Sequence, residues 1–327
     1  MAEIKHIHGR HCASTGICNI VNFHGLKFSE AMCFGIGAGL GIWYMRLDDE
    51  NLPVLIHVRS SDFEQQFFTR INYPFKWKKY NDPDQSEKDL CINLDKGLPV
   101  ILQTDIYYLP YFKTNTHFPG HVITVWDYNK EEKFFYITDT QHKNFFKVPF
   151  EDMKKARYSS QGFFDVKGNL FCPEKMIKPE NLDIIIKDAI VYNSRNLLES
   201  KNENMGIIAL KTWQNELTLW KNFKSCKWTS RFAYQVIEKR GTGGGGFRFI
   251  YSDFLLEASQ YLPQIKKLNL IENMKKTAKA WQELAFALKK ASEENKPDFI
   301  DVFYKIEKVY EYESLYHNCA IKLMNAP

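Results

Sequence analysis

The sequence lacks the features of membrane, secreted and disulfide-stabilised proteins. It contains no run of about 18 or more apolar residues, so we expect no membrane span. The opening stretch MAEIKHIHGRHC is polar and basic, without the apolar core of a secretory signal. The seven cysteines are odd in number and form no CxxC pair, which argues against a disulfide framework or a zinc knuckle. We therefore expect a soluble, cytoplasmic protein with no bound metal.

The charge is small and dispersed. Lys and Arg number 44 against 39 Asp and Glu, which gives a net charge of +5 over 327 residues. The basic residues do not gather in one stripe, so we expect no nucleic-acid partner. Apolar residues make up 44% of the chain and aromatic residues 15%, which is enough material to fill the cores of two domains.

Hydrophobic spacing changes character near residue 160. The first part contains a predicted helix at 13–24, and its predicted strands are 52–58, 99–104, 121–128 and 133–138. Polar residues at 129–132 turn the chain between the last two strands, which predicts an antiparallel hairpin. The second part is mainly helical, with predicted helices at 188–199, 203–222, 227–239, 250–262, 267–292 and 296–323. We therefore predict an α+β domain over residues 1–160 and a mainly helical domain over 161–327.

Two glycine-rich segments resemble nucleotide-binding loops only in composition. The segment Gly35–Gly41 has Leu40 at the third glycine position of the dinucleotide fingerprint, and no strand precedes it. The segment Gly241–Gly246 lacks the Lys-Ser/Thr pair of a phosphate loop. We predict close backbone packing or a flexible loop near the site for the first segment, and a mobile linker for the second.

Cys12, His121 and Asp139 have the residue types and positions of a nucleophile, a base and an orienting group. Cys12 lies where the first helix begins, and the free N–H groups and dipole of a helix N-terminus favour a thiolate. His121 opens one hairpin strand and Asp139 follows the other, so antiparallel pairing brings them side by side. A carboxylate bonded to one imidazole nitrogen orients the ring toward the thiol. We predict a catalytic triad that acts through a thioester on Cys12.

Each member of this triad also has a simpler interpretation, as a buried cysteine, a strand-end histidine or a turn-forming aspartate. Asp127 competes for the orienting role, but it lies six residues after His121 on the same strand, too far along to reach the imidazole. A metal site is a further alternative, and its ligands would be His6, His8, His11 and Cys12. No second group of ligands accompanies these four, so we favour the triad.

The order Cys, His, Asp resembles the papain-like superfamily, in which the nucleophile begins the first helix and the other two residues lie on adjacent strands. Several segments are also similar to the N-terminal domain of the butirosin biosynthesis protein H family, namely Gly9–Thr15, Asn19, Leu26–Met32, Phe34–Gly41, Asp105–Pro110 and His121. The helical domain that accompanies it is similar at Gly241–Gly246, Phe247-Arg248 and Phe254-Leu255. The resemblance covers most of the chain.

This resemblance implies a papain-like cysteine protease or acyltransferase fold with an appended C-terminal helical domain. It implies an amide-forming acyltransferase of natural-product (antibiotic) biosynthesis, with the phosphopantetheine thioester of an acyl or peptidyl carrier protein as donor and an amine as acceptor. By position, Cys12 is the nucleophile, His121 the base and later the acid, and Asp139 the orienting group. No permanently bound cofactor is expected.

Further residues are candidates for oxyanion and substrate binding. The backbone N–H of Cys12 is the natural first oxyanion donor, worth roughly 2.7–4 kcal/mol by analogy with other oxyanion holes. Papain-like enzymes take a second donor from a side chain shortly before the nucleophile, where His6, His8 and Arg10 are available. The candidates for the acyl pocket and its polar contacts are Gln103, Asp105, Tyr107 and Tyr108, with Tyr111 and Phe112 beside them.

Two other function classes use the same residues. A papain-like hydrolase (a peptidase, amidase or thioesterase) differs only in whether water or an amine meets the acyl-enzyme. A non-catalytic binding protein on a degenerate fold predicts an unreactive Cys12. The helical domain is a candidate for homodimer formation or for docking a carrier.

Overall fold

The structure is a computed structural model that describes residues 6–140, 142–161 and 166–325. Its α-helices are α1 (Cys12–Phe23), α2 (Glu30–Ile36), α3 (Phe63–Arg70), α4 (Pro83–Asp95), α5 (Phe150–Arg157), α6 (Leu182–Leu198), α7 (Ile208–Trp220), α8 (Cys226–Glu238), α9 (Arg248–Ala258), α10 (Gln264–Lys267), α11 (Leu270–Glu293) and α12 (Ile300–Ala320). Its strands are β1 (Leu40–Arg46), β2 (Val54–Arg59), β3 (Val100–Thr104), β4 (His121–Asn129), β5 (Phe134–Thr138), β6 (Phe146–Pro149) and β7 (Leu170–Phe171).

The chain forms two compact units, each discontinuous in sequence. The first contains Met1–Cys33 and Ile71–Pro179, and the second contains Phe34–Arg70 and Glu180–Pro327. The hydrophobic spacing instead predicts a single boundary near residue 160. The difference arises because the β1–β2 hairpin packs with the later helices: the Asn193 side chain donates to the carbonyl of Leu40 (2.8 Å) and accepts from its N–H (3.2 Å). Local periodicity carries no signal for so distant a pairing.

The first unit is built on an antiparallel sheet of five strands, in the order β6-β5-β4-β3-β7. The predicted hairpin is confirmed, because β4 and β5 pair antiparallel with Thr124 opposite Thr138. A β-bulge between Val125 and Asp127 shifts the register of this pair. The predicted strand at 99–104 is confirmed as β3, whose Thr104 lies opposite His121.

The two faces of this sheet bury different elements. One face carries a core in which sheet residues pack against α4 and α5; it includes Leu102, Ile123, Phe135, Leu90 and Met153. α1 lies on β4 and β3, and it approaches closely because Gly16 has no side chain: a Cβ there would be 3.1 Å from Cγ1 of Val122. Burying the apolar residues of α1 fixes this helix, and with it Cys12 at its first position.

The second unit combines the β1–β2 hairpin with α3 and the helices from α6 onward, and the prediction of a mainly helical C-terminal region is confirmed. Its core holds a buried ion pair between Arg248 and Glu313, whose Nε and Oε1 atoms are 2.7 Å apart. The Arg248 guanidinium also donates to three backbone carbonyls, those of Gly41, Val58 and Gly246. A buried charge with this many partners is well compensated.

Both glycine-rich segments are closely packed. A Cβ on Gly35 would be 2.0 Å from Cγ of Phe254, which confirms the prediction of close backbone packing for the first segment. The mobile linker predicted at Gly241–Gly246 is wrong, because Gly245 and Gly246 are buried with left-handed φ angles of +54° and +58°. Glycine adopts this conformation without the strain that a Cβ adds. In the described part of the chain, no helix is long and apolar enough to cross a bilayer.

Candidate active site

Cys12 is the first residue of α1 and is half-buried. The residue before it, His11, is the N-cap: its backbone is extended and its Nδ1 accepts from the N–H of Ser14 at 3.3 Å. The first amides of a helix have no acceptor within the helix, so the Cys12 thiol lies among free N–H groups at the positive end of the dipole. This environment favours an anion at the sulfur atom and on an oxygen bound beside it.

His121 and Asp139 form the predicted hydrogen bond, with 2.8 Å between Nε2 and Oδ2. Both residues are buried, at 8% and 2% exposure. Extending the β4–β5 register past Thr124 and Thr138 places Asp139 opposite Ile123, so the contact is diagonal across the hairpin. The Cys12 thiol lies close enough to the same imidazole to raise its pKa. Because Nε2 is held by Asp139, Nδ1 is the nitrogen left for the thiol.

The electrostatics of His121 follow from this geometry. Burial alone lowers the pKa of an imidazole, but Asp139 and Cys12 outweigh burial and raise the pKa of His121 to about 10. Burial also works against the Asp139 carboxylate, yet the charge and hydrogen bond of His121 hold the pKa of Asp139 below its usual value. At neutral pH this pair is an imidazolium and a carboxylate.

Two aromatic residues that follow β3 complete the surroundings of this pair. Tyr111 donates its hydroxyl to Oδ2 of Asp139 at 2.7 Å, and burial beside this carboxylate raises the pKa of the phenol well above its ordinary value. The Phe112 ring packs edge-on against His121 with centroids 5.1 Å apart. The sequence predicts both as neighbours of an acyl pocket, but nothing in it indicates that Tyr111 supports Asp139. The Thr140 hydroxyl donates to the other carboxylate oxygen at 2.7 Å.

The candidates before the nucleophile have different surroundings. His6 is tied through Nδ1 to Oδ1 of Asn19 (3.3 Å) and through Nε2 to the carbonyl of His142 (2.8 Å). His8 is exposed. The structure therefore uses His6 to hold the segment that leads to α1, and an oxyanion role for either histidine stays a prediction.

The candidates around β3 form a separate network. The side-chain oxygen Oε1 of Gln103 accepts from Nδ2 of Asn169 at 2.6 Å. Asp105 is fully buried and accepts from Ser159 (2.6 Å), His117 (2.7 Å) and the N–H of Tyr107 (3.1 Å). The carboxylate thereby fixes the loop between β3 and β4.

Tyr107 and Tyr108 lie in that loop. Tyr107 is exposed and stacks on His117 with ring centroids 4.0 Å apart. Both tyrosines line an open depression whose other walls are Pro110, Asp152 and Lys155. A role for Gln103, Asp105, Tyr107 or Tyr108 in binding substrate stays a prediction.

The sequence raised two alternatives to the triad, namely Asp127 as the orienting group and a metal site. Asp127 lies on β4 opposite Tyr136, and its carboxylate accepts from the N–H of Tyr128 at 2.8 Å. The Asp127 carboxylate is therefore hydrogen-bonded within its own strand, and the carboxylate that bonds His121 is that of Asp139. Across residues 6–140, 142–161 and 166–325, the structure holds no group of three or more His, Cys, Asp or Glu side chains with metal-binding geometry.

Comparison with known families gives two matches. The family model described as butirosin biosynthesis protein H, N-terminal, matches residues 11–140. The model described as Domain of unknown function (DUF4872) matches residues 151–319. No curated protein matches the chain. The first match contains Cys12, His121 and Asp139, and the second covers more than half of the chain.

Proposed function

Since the chain belongs to the butirosin biosynthesis protein H family, we propose that it is a biosynthetic acyltransferase that forms amides through an acyl-Cys12 thioester. The donor in this proposal is the phosphopantetheine thioester of a carrier protein, and the acceptor is an amine. The observation that carries it is the hydrogen bond of His121 to Asp139, on an imidazole whose pKa is also raised by the Cys12 thiol at the start of α1.

The arrangement supports a papain-like assignment for the first unit. The nucleophile begins the first helix, and the histidine and aspartate lie at the adjoining ends of two antiparallel strands. Cys–His constellations of this kind carry acyl groups as thioesters, because the imidazole exchanges protons with both the leaving group and the incoming nucleophile.

The first half-reaction uses His121 as an acid. With the pKa of His121 raised to about 10, the imidazole is protonated at neutral pH, and Cys12 reacts beside it as a thiolate. The Cys12 sulfur attacks the thioester carbonyl carbon, and the oxyanion that forms lies beside the first amides of α1. The carbon–sulfur bond to phosphopantetheine then breaks, and the departing thiolate takes the proton of His121. The products are acyl-Cys12, a free pantetheine thiol and a neutral imidazole.

The second half-reaction uses the same imidazole as a base. The amine nitrogen attacks the acyl-Cys12 carbonyl carbon and gives one proton to His121. The bond from carbon to Cys12 sulfur breaks, which restores the thiolate and the imidazolium and releases the amide. One thioester and one amine become one amide and one thiol, with no other reactant.

Intact-protein mass spectrometry with S-butyryl-pantetheine as the donor probe tests the covalent step. We expect a butyryl adduct that maps to Cys12, that is absent from Cys12→Ala, and that disappears when ethanolamine is added. Cys91→Ala is the matched control, because Cys91 is another half-buried cysteine of the same unit and burial raises its pKa to about 11.

Three results would contradict the proposal. Amide formation by Cys12→Ala would exclude the thioester, and an adduct at Cys91 instead of Cys12 would move the nucleophile. Butyrate released at one rate with and without ethanolamine would favour a hydrolase.

A further inference from the structure

We propose that Glu30 is a positioning residue, which fixes the backbone before Cys12 so that the first amides of α1 stabilise the oxyanion. This inference rests on the proposed function of Cys12. Glu30 lies in the first turn of α2 and is half-buried. The sequence predicts no role for it, although it lies within the Leu26–Met32 segment on which the family resemblance partly depends.

The Glu30 carboxylate collects hydrogen bonds from both sides of Cys12. The N–H of Arg10 lies 2.9 Å from each carboxylate oxygen, and the N–H of His11 lies 2.8 Å from Oε1. The hydroxyls of Ser14 and Thr15 donate to Oε1 at 2.9 and 3.2 Å. One carboxylate thus joins the two residues before the nucleophile to the first turn of the helix after it.

These bonds separate the amides of this segment into two groups. The amides of Arg10 and His11 are occupied by Glu30, and the amide of Ser14 is occupied by the N-cap His11. Within the described residues, the amides of Cys12 and Ala13 have no hydrogen-bond acceptor. They are therefore the N–H groups available to an oxygen atom bound beside the sulfur.

The same segment is also fixed to the other end of the site. The N–H of Gly9 donates to the carbonyl of Thr140 at 2.8 Å, immediately after Asp139. Glycine is needed here, because a Cβ would lie 2.2 Å from Oγ1 of Thr15 and 2.7 Å from Cδ of Glu30. The backbone before Cys12 therefore lies between Glu30 on one side and the turn after Asp139 on the other.

The charge of Glu30 indicates positioning, not activation. A carboxylate near the N-terminus of α1 opposes the dipole effect that favours the Cys12 thiolate. Glu30 instead contributes by holding four hydrogen-bond donors around Cys12 in place. This matters because oxyanion stabilisation depends on a backbone that is fixed before the reaction begins. All four donors reach Oε1, and only the Arg10 N–H also reaches Oε2. The role therefore requires one accepting oxygen and not the charge, so glutamine, which keeps one such oxygen, should largely replace glutamate.

Two probes of Cys12 distinguish oxyanion stabilisation from thiolate formation. In the reaction with p-nitrophenyl acetate, the sulfur bonds to the carbonyl carbon through an oxyanion, p-nitrophenolate leaves, and Cys12 becomes acetylated. In the reaction with iodoacetamide, the sulfur displaces iodide from a saturated carbon, and no oxyanion forms. Both reactions require the thiolate, but only the first requires the amides.

We expect Glu30→Ala to slow the Cys12-dependent p-nitrophenol burst roughly 10- to 100-fold, the range of a partly lost oxyanion hole. The rate of iodoacetamide alkylation and its pH profile should change less than about threefold, and Glu30→Gln should retain most of the burst. Glu132→Gln is the control, because this exposed glutamate belongs to the turn between β4 and β5. If Glu30→Ala does not fold, Gly9→Ala tests the same contact by displacing the carboxylate.

Each outcome decides between the two proposals. A wild-type burst that survives Glu30→Ala overturns the positioning role alone, as does an equal loss of burst and alkylation. A Glu30→Gln variant as slow as Glu30→Ala would show that charge is required, and it too would overturn the inference. A wild-type protein with no Cys12-dependent burst overturns the proposed function and this inference with it.

Discussion

Asp139→Asn tests the electrostatic basis of the site while keeping the shape of the side chain. The Asp139 carboxylate lies 2.8 Å from Nε2 of His121 and is a main reason why the imidazole stays protonated despite its burial. An amide removes the charge and can present either an oxygen or an N–H to the ring. We therefore expect the imidazolium to become the minor form at neutral pH.

The size of the effect follows from the pKa of His121. A rise from 6.5 to about 10 corresponds to about 5 kcal/mol of net preference for the imidazolium in the folded protein. Without the carboxylate, burial moves the pKa down toward the ordinary value of 6.5, and only Cys12 still opposes this change. At pH 8 an imidazole with the ordinary pKa is about 3% protonated, whereas nearly all of the wild-type imidazole is, so acylation should slow by up to about 30-fold.

The measurement is the pH dependence of Cys12 acylation by S-butyryl-pantetheine. The wild-type rate should fall only as the pH rises through about 10, because His121 then loses the proton that the leaving thiol needs. In Asp139→Asn the same fall should occur near or below neutral pH. Asp127→Asn is the matched control, since Asp127 lies on the adjoining strand and its carboxylate bonds a backbone N–H.

The pH dependence of stability gives an independent check that folding raises the pKa of His121. Because the pKa of His121 is raised on folding, its contribution is fully present below about pH 6.5 and disappears as the pH rises through about 10. The difference in unfolding free energy between wild type and Asp139→Asn should shrink across this window. An alkaline limb of acylation that stays near pH 10 in Asp139→Asn would refute the reasoning, because His121 would then be protonated without Asp139.

Two further substitutions have defined expectations. Tyr111→Phe removes one hydrogen-bond donor to Asp139 but keeps the ring, so it should raise the pKa of that carboxyl and shift the loss of activity in acid to higher pH. It should also lower the free energy of unfolding in urea by roughly 1.5–3 kcal/mol. An unchanged acid limb of the activity profile would contradict this expectation. Arg248→Met leaves Glu313 buried without this ion-pair partner and should lower the free energy of unfolding by roughly 3–5 kcal/mol. Arg231→Gln, which breaks an exposed ion pair, should lower it by less than about 1 kcal/mol. Equal losses for the two arginine variants would contradict the second expectation.

The contact of Asp139 with His121 was predictable because strand pairing determines the positions of both residues. Alternating apolar residues and one polar turn define the β4–β5 hairpin, and the hairpin determines which ends meet. The helix that begins at Cys12 was likewise predictable from spacing. Tyr111 and Glu30 were not, because each reaches the site through a contact that no periodicity encodes.

The division of the chain was harder to predict for a related reason. The β1–β2 hairpin has ordinary strand patterns, and nothing local shows that Asn193 will bond Leu40 across about 150 residues. The glycine run at Gly241–Gly246 was misleading because mobile and densely packed glycines have the same composition. In the structure the Arg248 guanidinium donates to the Gly246 carbonyl, and this contact belongs to a densely packed run of glycines.

The high pKa of His121 also determines when the site has a base. At rest the imidazole is protonated and cannot accept a proton from a bound amine, so the acceptor is not activated before the donor has reacted. In the proposed reaction, transfer of its proton to the leaving pantetheine thiol creates the neutral imidazole, and it does so only when acyl-Cys12 forms. The base is therefore formed in the same step as the acyl-enzyme.

In the proposed reaction an amine and water compete for this acyl-enzyme and for the same base, and the amine is the stronger nucleophile. The proposed preference for transfer over hydrolysis thus depends on how well the site admits an amine and excludes water. Cys12 is half-buried there, Tyr111 bonds Asp139 and Phe112 packs on His121.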